Sequence, residues 1–297
     1  MARDAVAGLT SVVVVAADSG PLLRACVAGV LASTAPVEVI LVDNASSDGE
    51  VERVAAAHAA DARLRVLRNG ANLGFGPACN RGAALAHGDA LLFLNPDCAL
   101  AADTLVHLRA ALASDPALGL LGVTVCDPDG RPARGNRRRE PSLRRVLMSM
   151  SGLARFEARW PVLAGVEMPP APASGALETV EAVSGACMLL PRAAFVRVGG
   201  FDEGYFLHAE DLDLCRRLRD AGLRVAIAPT LRVTHAQGSS SRHRPLFVAR
   251  HKHRGLWRYF TKFDPAARNP LLRALVWLGI WTHFALGAPR LLLRARR

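Results

Sequence analysis

Two short acidic stretches carry residue types that can manage charge during a reaction. Asn95-Pro96-Asp97 follows an apolar run, and Pro96 fixes the backbone that presents the Asp97 carboxylate. A carboxylate held this way can bind a hard divalent cation whose other positions go to phosphate oxygens and water. The second stretch, His208-Ala209-Glu210-Asp211-Leu212-Asp213, crowds acids into the first turn of a helix. At the rim of a pocket, Glu210 or Asp211 could take the proton of an attacking hydroxyl. His235 precedes Gly238-Ser239-Ser240-Ser241 and brings an imidazole that could complete a metal shell. Each feature also has an ordinary counterpart. Asn95-Pro96-Asp97 suits a plain turn that caps the next helix. Acids in a first turn are stabilised by the helix macrodipole, which is the reading preferred for Asp213. A lone histidine often only decorates a surface. Arg216 and Arg217 are expected to pair with acids one turn earlier.

The elements that must position these residues can be read from periodicity. Ser11–Ala16 is a β-branched run of strand length, continuous enough to be buried on both faces. Leu22, Leu23, Cys26, Val27, Val30 and Leu31 follow with helical spacing, and Pro36 closes that stretch. Val37–Val42 reads as a second strand, followed by a helix to about Ala60 and a third strand at Leu64–Leu67. A helix over Pro77–His87 leads to a fourth strand at Ala90–Leu94. Such alternation predicts a parallel sheet flanked by helices, which binds ligands at the carboxyl ends of its strands. Asp18, Asp43, Asn72, Asn95 and Asp97 all fall at such ends.

Residues 127–180 break the pattern with Asp127-Pro128-Asp129-Gly130, the run Arg137-Arg138-Arg139 and Pro169-Pro170-Ala171-Pro172. They read as an irregular, partly mobile insertion with a short helix near Leu143–Leu153. Beyond it come a strand-like Val183–Leu190 and a helix over Glu210–Ala221 that Gly222 ends. Short strands are expected at Val225–Ala228, stopped by Pro229, and at Leu231–Thr234.

The chain has 297 residues, 51% of them hydrophobic, which suffices for one large core. Its six cysteines are scattered singly, against a zinc site or a disulfide scaffold, so reduced thiols are expected. Nothing at the start of the chain reads as a secretory signal, and a cytoplasmic location is expected. The net charge of +11 is unevenly placed: residues 242–297 hold 13 of the 37 Lys+Arg but one acid, Asp264. The first 241 residues hold 24 basic and 25 acidic side chains. A basic tail interleaved with Leu, Trp and Phe suits an anionic membrane surface. With no stacking platform in view, nucleic acid is not an expected partner. No Gly-x-Gly-x-x-Gly follows the first strand, against a nicotinamide enzyme.

Taken in order, several segments resemble glycosyltransferase family 2, and its bacterial rhamnosyltransferase-like branch above all. They are Val42–Gly49, Asn72–Gly82, Leu94–Asp97, Val183–Met188, Gly199–Glu203, Phe206–Arg217 and Thr234-His235 before Gly238-Ser239-Ser240. The resemblance covers about residues 10–241 and implies a GT-A fold, a Rossmann-like three-layer α/β/α sandwich with a mostly parallel sheet. It implies an inverting, metal-dependent transfer from a nucleoside diphosphate sugar, with rhamnose from a dTDP donor as the sugar of that branch. The acceptor would be a hydroxyl of a glycan or polyprenyl-linked molecule. Asp211 would be the base with Glu210 beside it, and Asp97 and His235 would hold Mg²⁺ or Mn²⁺. Asn95 would replace the first acid of the metal motif. Asp43 would hold the donor's base or ribose, and the Asn72–Gly82 segment, with Asn72, Gly74, Phe75 and Asn80, would line the nucleotide pocket. Relatives carry Thr-Tyr-Asn or similar after the first strand, where this chain has Ala16-Ala17-Asp18 and so lacks an aromatic contact for the base. That departure keeps a second reading in view, a sugar-nucleotide-binding protein impaired in catalysis.

The organisation expected is a catalytic domain over 1–241 and a basic, amphipathic helical extension over 242–297. Within the extension, residues 274–289 are apolar but only 16 long, short of the ~20 that span a bilayer. With arginines on both flanks, they suit a helix lying peripherally on the inner membrane face, the alternative being a helix packed back on the catalytic domain.

Overall fold

The structure, a computed structural model, describes residues 5–169, 175–236 and 244–295. Most of Pro169-Pro170-Ala171-Pro172, and Gly238-Ser239-Ser240-Ser241, lie outside them. Four parallel strands, β1 (Val6–Ala16), β2 (Val37–Asp43), β3 (Leu64–Arg68) and β4 (Gly88–Leu94), form one half of the main sheet in the order β3-β2-β1-β4. The helices between them are α1 (Leu22–Leu31), α2 (Glu50–Ala57) and α3 (Phe75–Ala84). Then come β5 (Cys98–Ala99), α4 (Thr104–Ala113), β6 (Leu118–Cys126), β7 (Arg137–Arg138), α5 (Leu143–Met150), β8 (Glu178–Thr179), β9 (Ala182–Val183) and β10 (Cys187–Pro191). The chain continues through α6 (Arg192–Arg197), α7 (Glu210–Asp220), β11 (Arg224–His235), α8 (Pro245–Phe263) and α9 (Pro270–Ala295).

Alternate side chains of the central strands feed two cores. Val12, Val14, Val39 and Leu41 pack with Leu23, Val27, Val51 and Leu105 of α1, α2 and α4. Val13, Val15, Ile40 and Val42 pack on the other face with Ala78, Phe195, Leu214 and Tyr259 of α3, α6, α7 and α8. Burial on both faces is why these strands are unbroken apolar runs and not alternating ones. The arrangement is an α/β/α sandwich.

The register levels the strand ends. Ala16 lies opposite Asp43, Asp43 opposite Arg68, and Val14 opposite Leu94. β10 runs antiparallel to β4, with Cys187 opposite Leu94, so the turn Ser184–Ala186 before it opens on the same edge. β11 lies parallel to β6 and ends there too, with Thr234 opposite Cys126. β5 then pairs antiparallel with the end of β11, His235 facing Cys98. That small pairing brings the segment after β4 beside the last residue of β11.

Several elements differ from the sequence expectation. β1 begins at Val6, earlier than the apolar run alone marks. Val183–Leu190 is two strands, because the Gly185 N–H leaves the sheet ladder and donates to Asp211. β11 is one strand, not two; Pro229, which lacks an N–H, produces a register shift between Ala228 and Arg232 instead of ending it. Arg217 does reach back one turn to Asp213, but Arg216 reaches forward to Asp220 and across to Glu140. The apolar stretch 274–289 belongs to a helix of 26 residues, of which the 23 from Pro270 to Leu292 are long and apolar enough to cross a bilayer by length and composition.

Candidate active site

A cavity of about 390 Å³ opens at the levelled strand ends, and Phe75, Asn95, Arg138, Gly185, Glu210, Asp211, His235 and Lys252 are among its walls. A corner with the residue types to hold a metal comes from two strand ends. The Asp97 Oδ1 lies 2.9 Å from His235 Nε2, and the Asn95 amide nitrogen lies 3.3 Å from the same ring atom. Asn95 and His235 face the cavity, with Asp97 buried beside them. Cys98 is close enough to join them as a third ligand. Its thiol donates to the Ala186 carbonyl, and burial pushes it well above the usual thiol range. A carboxylate and an imidazole from the protein fit a divalent cation that keeps positions for phosphate and water.

The acidic pair is presented by an unusual turn. His208 and Ala209 both adopt left-handed backbone, φ 68° and 71°, immediately before α7. Consecutive non-glycine residues in that region cost free energy and concentrate at functional sites. Neighbours hold the turn in place. Gly74, at φ +90°, lies so close to the Phe206 carbonyl that a Cβ there would sit 2.4 Å from its oxygen, and Phe75 N–H donates to that carbonyl at 2.9 Å. From the other side Gly255 of α8 brings its backbone against His208, where a Cβ would lie 2.5 Å from the carbonyl oxygen.

Asp211 is surrounded by donors. Its Oδ1 accepts from its neighbour Leu212 N–H at 2.8 Å, and its Oδ2 from Gly185 N–H at 3.1 Å and from the Arg138 guanidinium. Arg138 also donates to the Val183 carbonyl, which fixes β7 over the start of α7. Glu210 has the opposite surroundings. Its Oε2 is buried without a hydrogen-bond partner among the described residues. Burial, and then the neighbouring Asp211 charge, push Glu210 well above the usual carboxylate range.

The remaining expected residues are spread more widely. Ala16 and Asp43 are buried at the ends of β1 and β2; Asp43 Oδ1 accepts from Ser46 N–H at 2.8 Å. Asn72 Oδ1 accepts from Asn44 and from Gly74 N–H, shaping the loop before α3. Asn80 clasps both the N–H and the carbonyl of Phe201, tying α3 to the approach to α7. Of this group, Phe75 and Asn95 face the cavity. Residues not picked out in the sequence complete it: Arg138, the Gly185 amide and Lys252. Asn44, equally unnoticed, joins Asn69, Asn72, Leu73 and Gly74 into one loop. Arg138 had a visible signal, its place in a run of three arginines, but not its partner.

Comparison with known proteins agrees with this architecture. Residues 11–164 match the family model "Glycosyl transferase family 2", and residues 148–254 match "Glycosyl transferase family 21". N-acetylglucosaminyl-diphospho-decaprenol L-rhamnosyltransferase of Mycobacterium tuberculosis is 35% identical over 270 residues, 83% of this chain and 86% of that one. Among solved structures, the mannosyltransferase PcManGT of Pyrobaculum calidifontis, in complex with GDP-Man and Mn²⁺, superposes with a TM-score of 0.58 at 21% identity, over 97% of this chain and 72% of that one. TarS 1-349 of S. aureus superposes with a TM-score of 0.54 at 16% identity, over 95% of this chain and 82% of that fragment. These neighbours share the GT-A fold. With a family model over more than half its length and a rhamnosyltransferase this similar across most of both sequences, the chain belongs to glycosyltransferase family 2.

Proposed function

We propose that this glycosyltransferase moves a sugar, with inversion, from a nucleoside diphosphate donor to a hydroxyl of a lipid-linked glycan acceptor, and that the sugar is rhamnose carried on dTDP. The observation that carries the reading is the opening of Asp211, Glu210, Asn95 and His235 onto one cavity, with Asp97 directly behind. The choice of sugar and acceptor draws on the mycobacterial relative, whose name specifies L-rhamnose and an N-acetylglucosaminyl-diphospho-decaprenol.

Asp97 and His235 would hold Mg²⁺ or Mn²⁺, with Asn95 beside them. When bound, the cation supplies positive charge to the departing diphosphate. Ala16 and Asp43 flank the donor's base and ribose, Phe75 offers an aromatic face, and Asn72, Gly74 and Asn80 hold the loop that carries it. Asp211 takes the proton of the acceptor hydroxyl as that oxygen attacks the anomeric carbon opposite the leaving diphosphate. A carboxylate offers about four lone-pair sites. Three donors already orient Asp211, which leaves one site for the incoming hydroxyl. Chelation should abolish transfer and added Mn²⁺ or Mg²⁺ restore it; full turnover in excess chelator would contradict the metal assignment.

The tail seats the enzyme at the cytoplasmic membrane face, where such acceptors reside. On α9, Leu271, Leu275, Leu278 and Leu286 are each more than half exposed. The stretch Pro270–Leu292 is long enough to span, but Arg273 and Arg290 lie inside it, and the charge-free run between them is 16 residues, about 24 Å of helix against a ~30 Å hydrocarbon layer. That favours a helix lying in the interface. The full chain should sediment with anionic vesicles and a chain lacking α9 should not; equal sedimentation would contradict the assignment.

A further inference from the structure

The proposed reaction accounts for one diphosphate at this cavity, the donor's, and gives it a divalent cation. It does not account for Lys252 of α8 and Arg134 of the segment before β7, which line the same cavity. Neither comes from the strand ends of β1 to β4, where the donor's nucleotide is expected. Lys252 and Leu256 stand four residues apart and so share one face of α8, and both line the cavity together with Leu207. α8 therefore shows the site a cation and, one turn on, an aliphatic side chain.

This face is firmly placed. Lys262 of α8 lies 2.6 Å from Asp213 Oδ2, whose side chain is fully buried in the helix that begins with Glu210 and Asp211. Lys262 and Arg258 also bind Asp202, at 2.6 and 2.7 Å. Burial alone would raise Asp202, but these donors outweigh it and hold it down at about 2. Past the turn at Asp264–Asn269, the chain enters α9 with its exposed leucines. α8 thus puts Lys252 and Leu256 on the cavity that holds Asp211, and the helix that follows it, α9, carries exposed leucines. A polyprenyl diphosphate sugar offers the complementary groups: an apolar chain, a diphosphate and a sugar hydroxyl.

We infer that Lys252 binds the diphosphate of the lipid-linked acceptor, with Arg134, which Glu167 holds at 2.9 Å, lining the same cavity, and that Leu256 and Leu207 contact its first isoprenoid units. The inference rests on the lipid-linked acceptor reading above and adds to it the residues that recognise that acceptor. A charged hydrogen bond to a diphosphate oxygen contributes ~1.5–3 kcal/mol, or about ten- to a hundredfold in affinity.

The test compares two short, soluble acceptors, farnesyl-diphosphate-linked N-acetylglucosamine and a farnesyl glycoside of the same sugar without phosphate. Neither needs a membrane, so lipid headgroups are removed as competing ligands. Wild-type protein should favour the diphosphate acceptor. Lys252→Ala should shrink that preference about tenfold or more through a higher KM for the diphosphate acceptor, and Lys252→Arg should restore most of it. An unchanged preference, with KM unmoved, overturns the inference. So does an equal rise in the KM of the sugar nucleotide, which would assign the lysine to the donor. Wild-type protein that glycosylates neither acceptor contradicts the proposed function itself, and the inference falls with it.

Discussion

Glu210 and Asp211 are adjacent acids that the structure treats in opposite ways. Asp211 has three donors and Glu210 Oε2 none, so environment separates two groups that the sequence presents as equals. A buried carboxyl whose folded pKa is raised from 4.5 to about 8 stabilises the fold only while protonated. Its contribution is complete below about 4.5 and is lost as pH rises toward 8. Thermal midpoints of wild type should therefore fall relative to those of Glu210→Gln across that window, and parallel curves would show that Glu210 is not held protonated. Residue types marked Asp97, His235, Glu210 and Asp211 as candidates, and the resemblance to family 2 suggested their roles. Arg138 was not legible as a partner of Asp211, since a run of arginines in an irregular segment does not say which acid each will meet. In the fold Arg137 meets Glu178, Arg138 meets Asp211 and Arg139 meets Glu157.

At the scale of elements, the strand ends carry Asn95, Asp97 and His235, and α8 backs the turn that presents the acids. The left-handed turn His208-Ala209 is pressed between the loop before α3 and α8, and Gly255 is the point of contact with α8. In Gly255→Ala the new Cβ would meet the His208 carbonyl at 2.5 Å, backbone against backbone, so either α8 or the turn must move. The variant should lose about 1–3 kcal/mol of stability. A displacement of the acids by about 1 Å would lower kcat by about a hundredfold. Unaltered kinetics in a folded Gly255→Ala protein would show that α8 does not position the acids. The alternation of β1 to β4 with α1 to α3 was readable because periodicity is local. The short pairing of β5 with β11, which sets His235 beside Asp97, was not: two residues of ladder between segments remote in sequence leave no periodic trace. The break between β9 and β10 escaped for a related reason, because the Gly185 N–H is claimed by a side chain on α7.

Across the whole molecule, charge and apolar surface are divided by function. The first 241 residues are nearly neutral in balance, and the tail holds the excess of basic groups. That tail is no loose appendage at its near end, since Lys262 reaches the buried Asp213 and Arg258 reaches Asp202. Its far end, α9, shows its leucines to solvent. The molecule thus ties α8 to the helix that begins with Glu210 and Asp211, and α9 to α8, where His283 lies 3.0 Å from His253. Composition revealed the division of charge; only the ion pairs show that the basic half is anchored to the catalytic half. The most direct measurement is the mass of the product formed when purified protein, Mn²⁺, a panel of nucleoside diphosphate sugars and polyprenyl diphosphate N-acetylglucosamine are combined. Wild type should add one sugar to the acceptor, with dTDP-rhamnose as donor, and Asp211→Asn should be slower by ~10²–10⁴. An Asp211→Asn protein that forms the same product at the wild-type rate would contradict the account.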